Sequence, residues 1–198
     1  MDHVEAGERA ASLEAGRDAQ AVLVLVDRAR TGDADAFGAL YDRFQPEILR
    51  YLVIRVRDQH NAEDLAQQVF LKAWQAIPRY EHRGVPFRAW LYRMAHNQMV
   101  DFFRTSRPTA DLEGFDLPDE NHTLEAILLG EVQNTVQRAL GRLSEDHHRV
   151  LTLRFQMDKS AREIGEIMGR KEVTVRGLQM RALQALKREL EEEKDDLL

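Results

Sequence analysis

Between Arg79 and Arg104 the chain interleaves arginines with aromatic rings, as Arg79-Tyr-Glu-His-Arg-Gly-Val-Pro86 and then Phe87-Arg-Ala-Trp-Leu-Tyr-Arg93, with Asn97 following. That combination suits unpaired nucleic acid. An aromatic face stacks on a base for about 1–3 kcal/mol, and a guanidinium adds phosphate and cation–π contacts. The same stretch also carries a core spacing, because Phe87, Trp90, Leu91 and Met94 recur at helical intervals. A base-contacting face and a buried face are both open at this point.

A second candidate lies near the C-terminus. Ser160-Ala-Arg-Glu163 has the form of a capping box, in which the hydroxyl and the carboxylate satisfy free amides at a helix start. Ile164, Ile167 and Met168 then face inward, Gly169 supplies a tight turn, and a basic helix follows with Thr174 in its first turn. On that helix Val175, Leu178, Ala182, Leu183 and Leu186 form the expected buried side, leaving Lys171, Arg176, Gln179, Met180 and Arg181 outside. Such a helix fits the major groove, where long side chains reach base edges and neighbouring Lys and Arg hold phosphates. A helical hairpin with a solvated basic face would show the same pattern.

Other chemistries find little support. His147 and His148 are adjacent and point to different helix faces, His60 with Glu63 is an isolated spacing, and there is no cysteine. No metal, cofactor or enzymatic activity is expected, since neither a phosphate-binding Gly-rich loop nor a nucleophile elbow is present.

The elements that must position these residues read as helices. Phe37, Leu40, Tyr41, Phe44, Ile48, Leu52 and Val56 share a helical period, as do Leu65, Val69, Ala73 and Ile77. Gly32-Asp33 and Pro78 break the pattern, Pro46 marks a kink or a helix start, and 79–86 reads as a polar loop. From Ser106 to Asn121 two prolines and five acids surround only three large apolar residues, which describes a linker. Helical spacing resumes near Leu124.

The formal charge of −6 over 198 residues conceals a division. Segments 1–20, 105–131 and 189–198 carry −3, −6 and −5, whereas 21–104 and 132–188 carry +2 and +6. Counterion release depends on local Lys and Arg, so two mildly basic blocks can meet DNA while distant acidic segments are partly screened beyond a Debye length of roughly 8 Å. The longest apolar run, Ala21 to Val26, falls far short of the roughly 20 residues of a membrane span, so no membrane insertion is expected. The acidic start lacks an apolar signal core, and the absence of cysteine fits a reducing compartment; the cytoplasm is the expected location.

Taken in order, these segments resemble the extracytoplasmic-function sigma factors of bacterial RNA polymerase. Ala34-Asp-Ala-Phe37 with Leu40-Tyr-Asp-Arg-Phe44, then Ala62-Glu-Asp-Leu-Ala-Gln-Gln-Val-Phe-Leu-Lys-Ala-Trp74, then Phe87-Arg-Ala-Trp-Leu-Tyr-Arg-Met-Ala-His-Asn97 with Asp101 and Arg104, look like region two of that family. The C-terminal pair looks like region four. The resemblance implies an all-α fold: a region-two helical bundle over 21–105 and a region-four helix-turn-helix over 124–190, joined by a flexible acidic linker over 106–123. A disordered acidic extension, 1–20, and an acidic tail, 191–198, flank them.

It also implies partners and roles: core RNA polymerase through its β′ clamp and β flap, promoter DNA and an anti-sigma factor, with no homo-oligomer. Glu63, Asp64, Gln67, Gln68, Phe70, Leu71 and Trp74 would dock on the clamp helices. Arg79, Arg83, Trp90, Arg93, Asn97 and Arg104 would melt and read the minus-ten element, with Asn97 and the 79–86 loop around an extruded non-template base, whose unstacking costs a few kcal/mol. Lys171, Thr174, Arg176, Met180 and Arg181 would read the minus-thirty-five duplex. The linker would thread through the polymerase towards its active-site and RNA-exit channels.

This chain departs from the family pattern twice in these motifs. Gln68 stands where relatives usually carry an acid, which removes one ion pair with a basic clamp. Gly177-Leu178-Gln179 replaces a common Ser-Arg-Leu, and Gly177, at about 1 kcal/mol of helix propensity, points to a close backbone approach or a divergent subgroup. A self-sufficient DNA-binding regulator is the competing function; it predicts tight operator binding without polymerase.

Overall fold

The computed structural model describes residues 2–82, 84–105 and 124–195, with side chains described over 16–82, 84–105 and 132–193. The linker expected over 106–123 lies outside the described residues, as does Arg83. Every regular element among the described residues is helical, and the chain divides into two compact units, Met1–Thr105 and Ser106–Leu198.

Unit 1 holds α1 (Asp2–Arg30), α2 (Ala34–Val56), α3 (Gln59–Ala76), a 3₁₀ turn (Ile77–Arg79) and α4 (Phe87–Thr105). Short polar corners set the helix ends. Asp33 caps α2 by accepting from the Ala36 amide at 3.0 Å, and Arg28 pairs with it at 2.7 Å; the amide first, then the guanidinium, hold its carboxyl below the usual range. Arg57 closes α2 in the left-handed region at φ 59°, and Asp58 at once caps α3 by accepting from Asn61. Pro46 starts no helix. It sits inside α2 at an exposed position, where it removes one helical hydrogen bond.

The core of unit 1 follows the helical periods. Leu40, Phe44, Ile48 and Leu52 of α2 pack with Leu65, Val69 and Ala73 of α3 and with Phe87, Leu91 and Met99 of α4, all buried. Each large apolar side chain so buried stabilises the fold by about 1.5–3 kcal/mol. Val22, Val26 and Ala29 of α1 join them, so the ambiguous Val22–Val26 run is helical. Where a disordered extension is expected over 1–20, α1 runs unbroken from Asp2, and Asp18 pairs with Arg43 of α2. The reason is local. Its Ala, Glu and Arg content favours helix, and the docked turns after residue 20 supply the costly nucleus from which it propagates.

Unit 2 holds α5 (Leu124–Arg142), α6 (Glu145–Leu151), a π-helical turn (Thr152–Gln156), α7 (Ala161–Met168) and α8 (Glu172–Asp195). Val150, Leu153, Ile164, Ile167, Val175 and Leu178 form its core, with Ala139 and Leu140 of α5. An acidic tail is expected from 191. There α8 continues to Asp195, and Glu193 is only 5% exposed, accepting from Arg138 Nε of α5 at 2.5 Å. Charge composition marked that stretch as solvated, but the helix carries this one carboxylate back against an arginine.

Candidate nucleic-acid interface

On unit 1, α4 places Trp90, Arg93, Asn97 and Arg104 three, seven and fourteen residues along one helix face. Asn97 and Arg104 are exposed, Arg93 is half-buried, and Arg104 Nη2 holds Asp101 Oδ1 at 3.0 Å. Trp90 is half-buried, its ring 4.9 Å from that of Tyr80 and 5.4 Å from that of Phe87. Arg79 stands exposed at the end of the 3₁₀ turn before the loop. Four of these five therefore share one face of α4, and Arg83 falls outside the described residues.

Not every member of the aromatic–arginine run faces outward. Tyr92 is buried and donates to Glu47 Oε1 of α2 at 3.0 Å, and burial, then that carboxylate, push its phenol pKa up. Arg88 Nε lies 3.3 Å from Glu47 Oε2, and its guanidinium lies over the Phe44 ring. Phe87 and Leu91 belong to the core. The run thus splits by helix face: one side ties α4 to α2, the other carries the candidate contacts.

Sequence reasoning placed Tyr80 in a polar loop. Its ring is instead buried against Phe87 and Trp90, its hydroxyl donates to the Val85 carbonyl at 2.8 Å, and burial pushes its pKa up to about 12.

The outer face of α3 presents Glu63, Asp64, Gln67, Gln68 and Leu71, all exposed. Glu63 accepts from Gln59 Nε2 at 2.5 Å, and His60 Nε2 lies 3.8 Å from Asp64. Two residues expected there are placed otherwise. Phe70 is 3% exposed with its ring 4.8 Å from Tyr41, which puts it in the core, and Trp74 is half-buried, packed 4.9 Å from Phe37. Helical geometry explains both: Phe70 and Trp74 lie on the edge of α3 that turns towards α2.

On unit 2 the capping box is present in full. Glu163 N–H donates to Ser160 Oγ at 3.2 Å, and Ser160 N–H donates to Glu163 Oε2 at 2.9 Å. Gly169 closes α7 at φ 68°, and Arg170, in the turn, pairs with Asp146 of α6 at 2.5 Å. Thr174, Arg176, Met180 and Arg181 of α8 are exposed, Met180 by 64%, and Lys171 is exposed just before it. Arg176 Nη2 rests 2.6 Å from Glu172 Oε1. Beside it a shallow concavity of about 370 Å³ is lined by Arg154, Ser160, Ala161, Arg162, Glu172, Arg176 and Gln179. Arg154 and Arg162 were not singled out from sequence, although both fall in the basic block.

Two expectations for α8 change. Leu183, expected on the buried side, is 45% exposed, and Ala185 is buried instead, since the buried stripe continues 175, 178, 182, 185. Gly177 makes no close approach within the unit: a Cβ there would meet only Arg181 Nη1, at 3.5 Å. The glycine that packing does require is Gly165, where a Cβ would lie 2.6 Å from the Arg170 carbonyl oxygen.

Residues 40–109 match the Sigma-70 region 2 family, and residues 139–188 match Sigma-70, region 4. The chain is 34% identical over 178 residues to the ECF RNA polymerase sigma factor BldN of Streptomyces coelicolor, across 88% of this chain and 67% of that one. It is 33% identical to the RNA polymerase sigma-H factor of Pseudomonas aeruginosa, across 84% of this chain and 92% of that one. Among solved structures, CnrH in complex with the cytosolic domain of CnrY resembles it with a TM-score of 0.64 at 25% identity, over 86% of this chain and 97% of that one. With both matched regions in order and with the helix-turn-helix and the α4 face in place, the chain belongs to the extracytoplasmic-function sigma factors, which direct bacterial RNA polymerase to promoters.

Proposed function

We propose that unit 1 docks on the polymerase β′ clamp through the exposed face of α3 and holds the melted minus-ten strand along α4, while unit 2 sets α8 in the major groove of the minus-thirty-five element, near the β flap. The observation that carries this reading is the alignment of Trp90, Arg93 and Asn97 on one face of α4 beside the 80–86 loop. A half-buried indole backed by two rings is a stacking platform, and the exposed amide one turn beyond Arg93 can hydrogen-bond a base edge. Docking rests on Glu63, Asp64, Gln67, Gln68 and Leu71, with Trp74 at its border. Duplex reading rests on Lys171, Thr174, Arg176, Met180 and Arg181, where Arg176 must exchange Glu172 for a base or phosphate.

The protein performs no bond chemistry of its own in this reading; it lends promoter selectivity to a polymerase, and it works in the cytoplasm. No helix among the described residues is long and apolar enough to cross a membrane. An anti-sigma factor covering these surfaces is the expected inhibitor, supported by the family and by the solved complex of CnrH with the cytosolic domain of CnrY.

Run-off transcription on genomic fragments, with and without core polymerase, tests the proposal beside a gel shift of the chain alone. Specific starts only with polymerase, and weak binding without it, are expected. Tight sequence-specific shifts by the chain alone, indifferent to polymerase, would favour a self-sufficient regulator.

A further inference from the structure

The loop between the 3₁₀ turn and α4 is tied at both ends. Tyr80 N–H donates to the Ile77 carbonyl at 3.0 Å on the entering side, and Trp90 N–H donates to the Pro86 carbonyl at 3.1 Å on the leaving side. Between them a side-chain bond crosses the loop. Tyr80 Oη donates to the Val85 carbonyl at 2.8 Å, and the same oxygen lies 3.4 Å from His82 Nδ1. A phenol has one proton, so with Val85 accepting it the oxygen has only lone pairs to offer the imidazole. The Tyr80 ring is held by Phe87, at 5.7 Å and nearly perpendicular, and by Trp90. Glu81, His82 and Gly84 are exposed, and Gly84 takes φ 74°, a conformation that favours glycine. The hydroxyl therefore links the ring cluster beneath α4's outer face to the Val85 end of the loop.

We infer that Tyr80 is a positioning residue for promoter reading: its hydroxyl fixes the 80–86 loop against the Trp90 platform, so that the loop discriminates one base of the melted strand. The inference rests on the assignment of the α4 face to that strand. Removing the hydroxyl alone keeps the packed ring and frees the Val85 carbonyl, so the loop samples other shapes and discriminates less. The loss is that of one neutral hydrogen bond, about three- to tenfold in selectivity.

The test compares wild type with Tyr80→Phe in transcription by the polymerase holoenzyme from a promoter library randomised through the minus-ten and minus-thirty-five elements. Amide exchange across 81–85 is followed in the free chain. Expected for the variant are faster exchange in the loop, a thermal midpoint lowered by no more than the loss of one neutral hydrogen bond, unchanged polymerase affinity, unchanged minus-thirty-five preferences and a flattened preference at a single melted-strand position. A preference profile superimposable on wild type, unchanged loop exchange, or a uniform fall across all promoters would overturn the assignment of Tyr80. If wild type itself shows no preference within the minus-ten library, the reading of the α4 face fails instead, and the two failures remain distinct.

Discussion

On unit 1 the indole assigned to the melted strand rests on a floor of packed rings, whereas on unit 2 the residues assigned to the duplex stand exposed on a helix face. Trp90 leans on Tyr80 and Phe87, and Phe87 in turn lies 5.7 Å from Phe44 in the core. Arg176 and Met180 have no such backing; Arg176 is restrained only by an exposed pair with Glu172, which at such exposure contributes little. The difference follows from what each must bind. An unpaired base needs a surface already shaped to replace the stack it leaves, while a duplex supplies its own rigid groove and asks only for long side chains on a correctly placed helix. On unit 2 the precision lies in the helix spacing rather than in the contact residues.

Gly165 is where that spacing is set, and disturbing it gives the largest effect foreseen. In Gly165→Ala the new methyl meets the Arg170 carbonyl, a backbone atom that cannot swing away, so α7 and the turn must separate. Overpacking of this kind costs about 1–3 kcal/mol. Calorimetry of the full chain should show the transition of unit 2 lowered and that of unit 1 unmoved, with loss of minus-thirty-five preference. An unshifted unit 2 transition would mean that the two helices are not held at this distance.

The ring floor has a signature at alkaline pH. All four tyrosines, Tyr41, Tyr51, Tyr80 and Tyr92, lie in unit 1. Tyr80 ionises at about 12 instead of its ordinary 10.0, and burial raises Tyr92 in the same sense. Below pH 10.0 both folded and unfolded chains keep the Tyr80 proton, and its contribution is intact; as pH climbs from 10.0 to about 12 the unfolded chain releases it first, so stability drains away. Unit 1 should therefore lose thermal midpoint over that window more steeply than unit 2, and Tyr80→Phe should shallow the slope. Equal slopes in wild type and variant would show that the phenol is not buried as described.

The same contrast explains what could be read from the sequence. Helix periods in α2, α3 and α4 and the Ser160–Glu163 box are local signals, since a single turn determines them. The α4 stripe was legible for that reason. Which residue on a stripe's edge turns inward depends on the neighbouring helix: Phe70 and Leu183 exchanged roles with expectation because α2 covers one border of α3, and α8's buried stripe runs on to Ala185. Tyr80 was missed because a loop stretch gives no period, and only the rings of α4 reveal where it goes. Gly165 was passed over because a lone glycine within a helical pattern announces a close approach without saying to what.

Gly177 is the smallest and sharpest of these contrasts, being the second glycine of the helix pair and one that nothing in unit 2 requires. A Cβ there meets the Arg181 guanidinium at ordinary contact distance, and its backbone is helical within α8. Gly177→Ala should therefore raise the midpoint of unit 2, with a gain of about 0.5–1 kcal/mol from helix propensity. Two readouts on the same variant decide why the glycine is there. If stability rises while minus-thirty-five discrimination by the holoenzyme holds, the residue marks only a divergent recognition helix. If stability rises while discrimination collapses across all sequences, a phosphate or groove wall approaches the backbone at Gly177, and close contact on this unit belongs to the backbone as well as to the free-standing side chains. A fall in stability would contradict the open space found there, and with it the claim that unit 2 concentrates its packing at Gly165.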